Sequence, residues 1–242
     1  MLRLAVWSGP RNISTALMRS WGNRPDTFVV DEPLYSHYLK VTRAPHPGID
    51  EIIGRHESDW QQVAASLTGP IPQGRTIFYQ KQMAHHLLLE IERDWLSNLT
   101  HLFLIRDPRE MLTSLMKVLP SPTIEDTGLP QQVELFERVR HETGRTPPVF
   151  DAKDILDAPE PMLRSMCDSV GVAFDPSMLS WPAGPRETDG VWAKHWYAEV
   201  EKSTGFRPFK AKNDVVPESL LPVYERCAEL YETLNQHRTT PE

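Results

Sequence analysis

Trp7-Ser8-Gly9-Pro10-Arg11-Asn12-Ile13-Ser14-Thr15 follows directly on the apolar run Leu2 to Trp7 and leads into a helix-like stretch, Ser14 to Trp21. A strand, a tight Gly-Pro turn and a helix beginning near Ser14 aim several backbone N–H groups and the positive end of a helix at one point, which is a geometry that binds anions. Ser14 and Thr15 add hydroxyl donors and Arg11 a permanent positive charge. The phosphate loop of nucleotide-hydrolysing enzymes reads GxxxxGK[ST]. Here Gly9 is followed by Pro10, Arg11, Asn12 and Ile13 and then by Ser14-Thr15-Ala16, with neither the second glycine nor the lysine. The plain alternative for the same residues is a strand-to-helix turn capped by Asn12 or Ser14.

Working outward, short apolar runs bounded by turn residues recur at Leu2 to Trp7, Thr27 to Val30, Thr76 to Tyr79, Leu102 to Ile105 and around Val149-Phe150, and each reads as a buried strand. Helix-like patterns lie between them, at Ser14 to Trp21, Ile49 to Leu67, Ala84 to Leu96, Pro108 to Val118 and Leu129 to Glu142. Strands alternating with helices predict an α/β fold with a central parallel sheet flanked by helices, and a single domain over residues 1–242. In such sheets ligands bind beyond the carboxyl ends of the strands. That directs attention to Ser8 to Thr15, Asp31 to His37, Lys81 to His86 and Arg106 to Ser114. A further helix opens at Asp157-Ala-Pro-Glu-Pro and stops at Gly171, and a last one covers Glu218 to Asn235. Ser180 to Pro208 is weakly periodic but rich in proline, glycine and tryptophan, and is expected to fold over the site.

With 40% hydrophobic and 24% charged residues, the chain has ample material for a core. Two cysteines, Cys167 and Cys227, both in helix-like contexts, support neither a disulfide framework nor a cysteine zinc site and suit a reducing cytoplasm. No window approaches the roughly 20 apolar residues of a membrane span, and Leu2 to Trp7 is too short for a signal-peptide core, so a soluble protein is expected. A formal net charge of −7 argues against a nucleic-acid surface but leaves room for a local basic pocket holding a small anion.

Pro10-Arg11-Asn12-Ile13-Ser14-Thr15 resembles the 5′-phosphosulfate loop of sulfotransferases that use 3′-phosphoadenosine 5′-phosphosulfate (PAPS). Phe103-Leu-Ile-Arg-Asp-Pro-Arg-Glu-Met-Leu-Thr-Ser114 is similar to the family's 3′-phosphate motif, in which a strand ends in Arg-Asp-Pro and a serine follows the arginine by eight positions, as Ser114 follows Arg106. Arg186-Glu-Thr-Asp-Gly190-Val-Trp192-Ala-Lys-His-Trp196 resembles the C-terminal segment where a basic pair and a glycine precede Gly-x-Trp, with Arg186 the one basic residue clearly present. Asp151 to Pro176 also follows the family's pattern. The resemblance implies a P-loop-like sulfotransferase fold, PAPS as donor and 3′-phosphoadenosine 5′-phosphate (PAP) as product, and a small-molecule or carbohydrate acceptor. It implies that Gly9, Arg11, Asn12, Ser14, Thr15, Arg106, Ser114 and Arg186 hold the nucleotide.

The residues agree with that chemistry. A sulfuryl group in transfer carries less charge than a phosphoryl group, so fixed cations and N–H donors can stabilise it without Mg²⁺. No metal is expected, since the adjacent His85 and His86 diverge on a helix. Arg11 is placed to neutralise the leaving side, and Lys81, at the position of a family lysine, either to supply a mobile cation or to stand as a solvated lysine at a strand end. The acceptor loses a proton as it attacks, so a base must lie within hydrogen-bond reach. Many relatives place a histidine two residues after that lysine, where Met83 stands in this chain; others carry a glutamate base near the end of the second strand, so the resemblance favours Glu32 of Asp31-Glu32-Pro33 as base, with His85 the next candidate. Two other readings remain open at this level: a P-loop nucleotide kinase or other phosphotransferase, and a nucleotide-binding module without catalysis.

Overall fold

A computed structural model describes residues 1–212 and 214–240. The strands are β1 (Leu2–Ser8), β2 (Thr27–Asp31), β3 (Ile77–Met83), β4 (Thr100–Ile105) and β5 (Val149–Asp151). They form one five-stranded parallel sheet in the order β2-β3-β1-β4-β5, flanked by helices. From β1 to β4 the helices are α1 (Ser14–Gly22), α2 (Tyr35–Thr42), α3 (Ile49–Arg55) and α4 (Trp60–Thr68). Then come α5 (Pro108–Leu115), α6 (Leu129–Thr143), α7 (Ala152–Asp157), α8 (Pro159–Ser169), α9 (Ala193–Trp196), α10 (Ala198–Glu201) and α11 (Leu221–Asn235). The expected sheet is therefore present, and β1 and β4 are buried on both faces, as near-continuous apolar runs in a parallel sheet should be.

The chain divides into two compact units, one of residues 1–6, 15–100 and 175–206, the other of residues 7–14, 101–174 and 207–242. In the first, Leu39, Ile52, Trp192, Ala193 and Tyr197 form a buried cluster that ties α2 and α3 to α9. Gly190 is required there: a Cβ at that position would sit 2.1 Å from the Trp192 ring. In the second unit Phe103 meets Phe136 edge-on at 5.7 Å, and Trp7 Nε1 donates to His101 Nδ1 at 3.0 Å.

Local chemistry corrects several expectations. Ile49 to Leu67 is two helices, because the Glu57 carboxylate accepts the N–H groups of Ser58 and Asp59 and the Asp59 side chain then caps α4 by accepting from Gln61 N. Ala84 to Leu96 is not an α-helix; it is a short 3₁₀ turn, Ala84–His86, a bent segment and a second 3₁₀ turn, Asp94–Asn98. The guanidinium of Arg93 donates to the carbonyls of Leu88 and Ile91, which a continuing helix would have used for its own ladder. The helix α2 was not anticipated. The third strand extends past Tyr79 to Met83, so Lys81 lies inside the strand rather than after it, paired in register with Asp31 of β2.

Candidate functional site

In the second unit the chain leaving β1 turns through Arg11, whose φ of 57° is in the left-handed region. A non-glycine residue there carries strain that surrounding structure must hold. Gly9 permits the turn, since a Cβ on it would lie 2.4 Å from the Thr127 carbonyl oxygen. Asn12 is committed to structure: its amide donates to Leu104 O at 3.0 Å and its oxygen accepts from Ile13 N at 2.8 Å. Ser14, buried, opens α1, and Thr15 follows it in the first helical turn. Arg11 Nε donates to Ser114 Oγ at 3.0 Å, and Arg106 donates to the Arg11 carbonyl. Arg106 is also held by Glu110, Nη2 to Oε2 at 2.8 Å. The structure thus brings Arg11, Arg106 and Ser114 together. Burial of its guanidinium and the neighbouring Arg106 both push the pKa of Arg11 down. Glu110 balances Arg106, whereas Arg11 is steadied by a neutral hydroxyl, so the loop presents positive charge suited to an anion.

Asp107 caps α5 by accepting from Arg109 N and Glu110 N, with Pro108 in the first turn. Among the described residues no group of three or more His, Cys, Asp or Glu is placed to hold a metal ion. No described helix is long and apolar enough to cross a membrane. Beside Arg106, in the same unit, lies a cavity of about 340 Å³ whose lining includes Lys153, Phe209, Lys212, Tyr231 and Arg238. Sequence reading missed Phe209 and Lys212. Arg186 belongs to the first unit, where its guanidinium donates to Pro182 O and its backbone N–H to Asp189.

The first unit contains a second constellation. Lys81 is only 1% exposed, and its ammonium donates to Asp31 Oδ1 at 2.8 Å, Glu32 Oε1 at 2.6 Å and Tyr197 Oη at 2.6 Å. All three of its N–H bonds therefore have acceptors, and it is not the mobile cation that its position suggested. Although burial disfavours its charge, Asp31 and Glu32 hold its pKa well above the ordinary lysine value. Glu32 has a φ of 43° and is anchored by its own N–H to Lys81 O at 3.0 Å. Burial pushes its carboxyl above the usual range, Lys81 opposes this, and the charge of Asp31 adds to it. Asp189, in a bidentate pair with Arg19 at 2.5 and 2.7 Å, and Gly190, whose N–H reaches Asp31 Oδ2 at 3.2 Å, fasten the segment that delivers Tyr197. His85 packs edge-on against Tyr38 at 5.4 Å and against His86 at 4.3 Å.

The sequence pattern of the sulfotransferase domain family matches residues 2–231. The chain belongs to that family. Among curated proteins it is similar to branched-chain-amino-acid aminotransferase-like proteins 1 and 2 of Arabidopsis thaliana, with 37% identity over 231 residues and 35% over 232. Each match takes in 96% of this chain and 41% of the relative, so the chain spans about two fifths of the length of those proteins. Among solved structures it resembles a sulfotransferase from Alicyclobacillus acidocaldarius, with a TM-score of 0.51, 13% identity, and 99% of this chain and 97% of that one covered. It also resembles the sulfotransferase domain from the curacin biosynthetic pathway, with a TM-score of 0.50, 15% identity and 98% of both chains covered. At that level of identity the likeness is one of fold, and the fold is the sulfotransferase one.

Proposed function

We propose that this sulfotransferase-family protein transfers a sulfuryl group from PAPS to a hydroxyl or amine of a small-molecule or carbohydrate acceptor, releasing PAP, in the cytoplasm. The observation that carries the reading is the meeting of Arg11, Arg106 and Ser114 at the start of α1. PAPS supplies the activated sulfuryl group. The S–O bond to the 5′-phosphate oxygen breaks as an S–O or S–N bond to the acceptor forms. Arg11 and the N–H groups at the start of α1 offset charge on the leaving phosphate. Arg106, with Ser114, reads the 3′-phosphate, and the cavity that Arg106 lines seats that end of the nucleotide. The acceptor's proton passes to Glu32, whose desolvated carboxylate is a stronger base than an exposed one. Lys81 holds Glu32 in place instead of touching the sulfuryl group. Cys167 and Cys227, both buried and neither in a disulfide among the described residues, suit the cytoplasmic setting.

A thermal-shift panel of PAP, PAPS, AMP, ADP and ATP with Mg²⁺ tests the donor, because a ligand stabilises in proportion to how tightly it binds the folded state. PAP and PAPS are expected to raise Tm well above the others. Stabilisation by ATP with Mg²⁺ alone would return the loop to the nucleotide kinases. Glu32→Gln is expected to lower turnover while leaving PAP binding near wild type. Unchanged turnover in that variant would remove Glu32 from the mechanism, and PAP binding without transfer by the wild type would favour a binding module.

A further inference from the structure

Tyr197 lies between α9 and α10, in a segment where reading the sequence finds no catalytic pattern, yet its hydroxyl sits at the centre of the Lys81 constellation. The phenolic hydroxyl lies 2.7 Å from Asp31 Oδ2 and 2.9 Å from Asp31 Oδ1 and also hydrogen-bonds the Glu32 side chain, so its one hydrogen is offered to the two neighbouring carboxylates. The phenol oxygen then accepts from Lys81 Nζ at 2.6 Å and from Trp192 Nε1 at 3.3 Å. This uses both its lone pairs and one of the three Lys81 N–H bonds, and leaves another of those bonds for Glu32.

We propose that Tyr197 is a positioning residue for Glu32: by bonding Asp31 and receiving Lys81 it sets how readily Glu32 takes up a proton. The proposal deepens the reading of Glu32 as the base and rests on it for its catalytic meaning. The groups facing Glu32 come from four elements: Asp31 of β2, Lys81 of β3, Tyr197 after α9 and Tyr35 of α2. Behind them, His56 and Tyr79 face Asp31, and His86 faces Lys81. Of these, Tyr197 bonds the anion that repels a charge on Glu32 and the cation that attracts it, and also hydrogen-bonds the Glu32 side chain itself. With the hydroxyl gone, Glu32 loses a hydrogen bond to its charged form, and Asp31 loses a donor that disperses its charge, so its repulsion of Glu32 grows. A phenol with one bond to each partner therefore holds the Glu32 proton affinity lower than burial alone would leave it.

The test is a pH titration of the Glu32 carboxyl by ¹³C NMR on the full chain labelled at the glutamate side-chain carboxyls, with the signal assigned by its disappearance in Glu32→Gln. Tyr197→Phe should move the midpoint upward by about one pH unit, the shift produced by losing one hydrogen bond. The acidic limb of the sulfuryl-transfer rate should move by the same amount while PAP affinity stays unchanged. A folded Tyr197→Phe protein that titrates at the wild-type pH overturns the proposal. Where that variant does not fold, Trp192→Phe, which removes a donor from the same hydroxyl, should give a smaller upward shift, and no shift there overturns it equally. An NMR shift in a protein that transfers no sulfuryl group at any pH would keep the coupling and defeat the sulfotransferase reading instead.

Discussion

The loop after β1 and the cluster after β2 both turn on a non-glycine residue of positive φ, Arg11 at 57° and Glu32 at 43°, yet different physics holds them. Arg11 is exposed as a residue, though its guanidinium is partly desolvated where it leans on a hydroxyl, and among the described residues no carboxylate is bonded to it. Glu32 lies in a buried network where an ammonium, two carboxylates and a phenol satisfy one another. One region presents charge to something arriving from solution; the other is complete without it. Ligand binding should therefore depend on the first and folding stability on the second.

The largest expected effect tests this contrast directly. Lys81→Met removes the cation from between Asp31 and Glu32 and leaves buried carboxylates facing each other, which should cost about 3–5 kcal/mol of stability in urea denaturation. Arg11→Met strands no buried charge and should stay within about 0.5 kcal/mol of wild type while PAP binding collapses. Equal stability losses in the two variants would erase the distinction drawn between the regions.

The same contrast explains what reading the sequence could reach. The sheet was legible because β1 and β4 are continuous apolar runs followed by turn residues, and buried parallel strands need that composition. The turn after β1 was legible because Gly9, Arg11 and Ser14 are near neighbours, and the structure places Arg106 and Ser114, eight positions apart, against Arg11. The cluster was only half legible. Asp31, Glu32 and Lys81 stand at strand ends where a ligand would be sought, but Tyr197 is 116 residues from Lys81 and no spacing rule joins them. Lys81 itself was misread as a strand-end cation because Gln80, Lys81 and Gln82 look like the start of a loop; all three are buried in β3, with Gln80 bonded to Leu67 O at 2.9 Å. The false helix at Ala84 to Leu96 has a local origin: the Arg93 guanidinium takes the carbonyls of Leu88 and Ile91, five and two residues before it, which a helix would have needed.

A smaller effect sharpens the loop's side of the comparison. Arg106 is tied to Glu110, whose carboxylate is 10% exposed, so removing the arginine alone would strand a mostly buried charge. The double variant Arg106→Ala/Glu110→Gln avoids that and isolates recognition. It should bind PAP more weakly by about 1.5–3 kcal/mol, the worth of one charge-assisted contact, with AMP affinity nearly unchanged. Calorimetric titration of both nucleotides reads the difference. A uniform loss for PAP and AMP would mean that Arg106 supports the loop without reading the 3′-phosphate.

The smallest effect concerns protons on the buried side. His86 is 2% exposed and stacks on Tyr35 at 4.5 Å with an interplanar angle of 5°. Burial first, and then His85 and Lys81, depress its pKa well below the ordinary value of 6.5. A group depressed in the folded state takes its proton more readily when unfolded, so between the folded pKa and about 6.5 the unfolded chain binds more protons and stability rises with pH. Its contribution is fully present above about pH 6.5 and is lost as the pH falls toward the folded value, at no more than about 1.4 kcal/mol per pH unit. His46 and His56 are shifted in the same direction, also by burial first, so part of the slope belongs to them. His86→Phe keeps an aromatic ring against Tyr35 and removes one titrating group. Its stability in urea at pH 5.5 and 7.5 should differ less than that of the wild type, whereas Arg11→Met should keep the wild-type difference. An unaltered slope in folded His86→Phe would place the acid sensitivity elsewhere and show that the ring beside Lys81 is protonated as easily in the native chain as in the unfolded one.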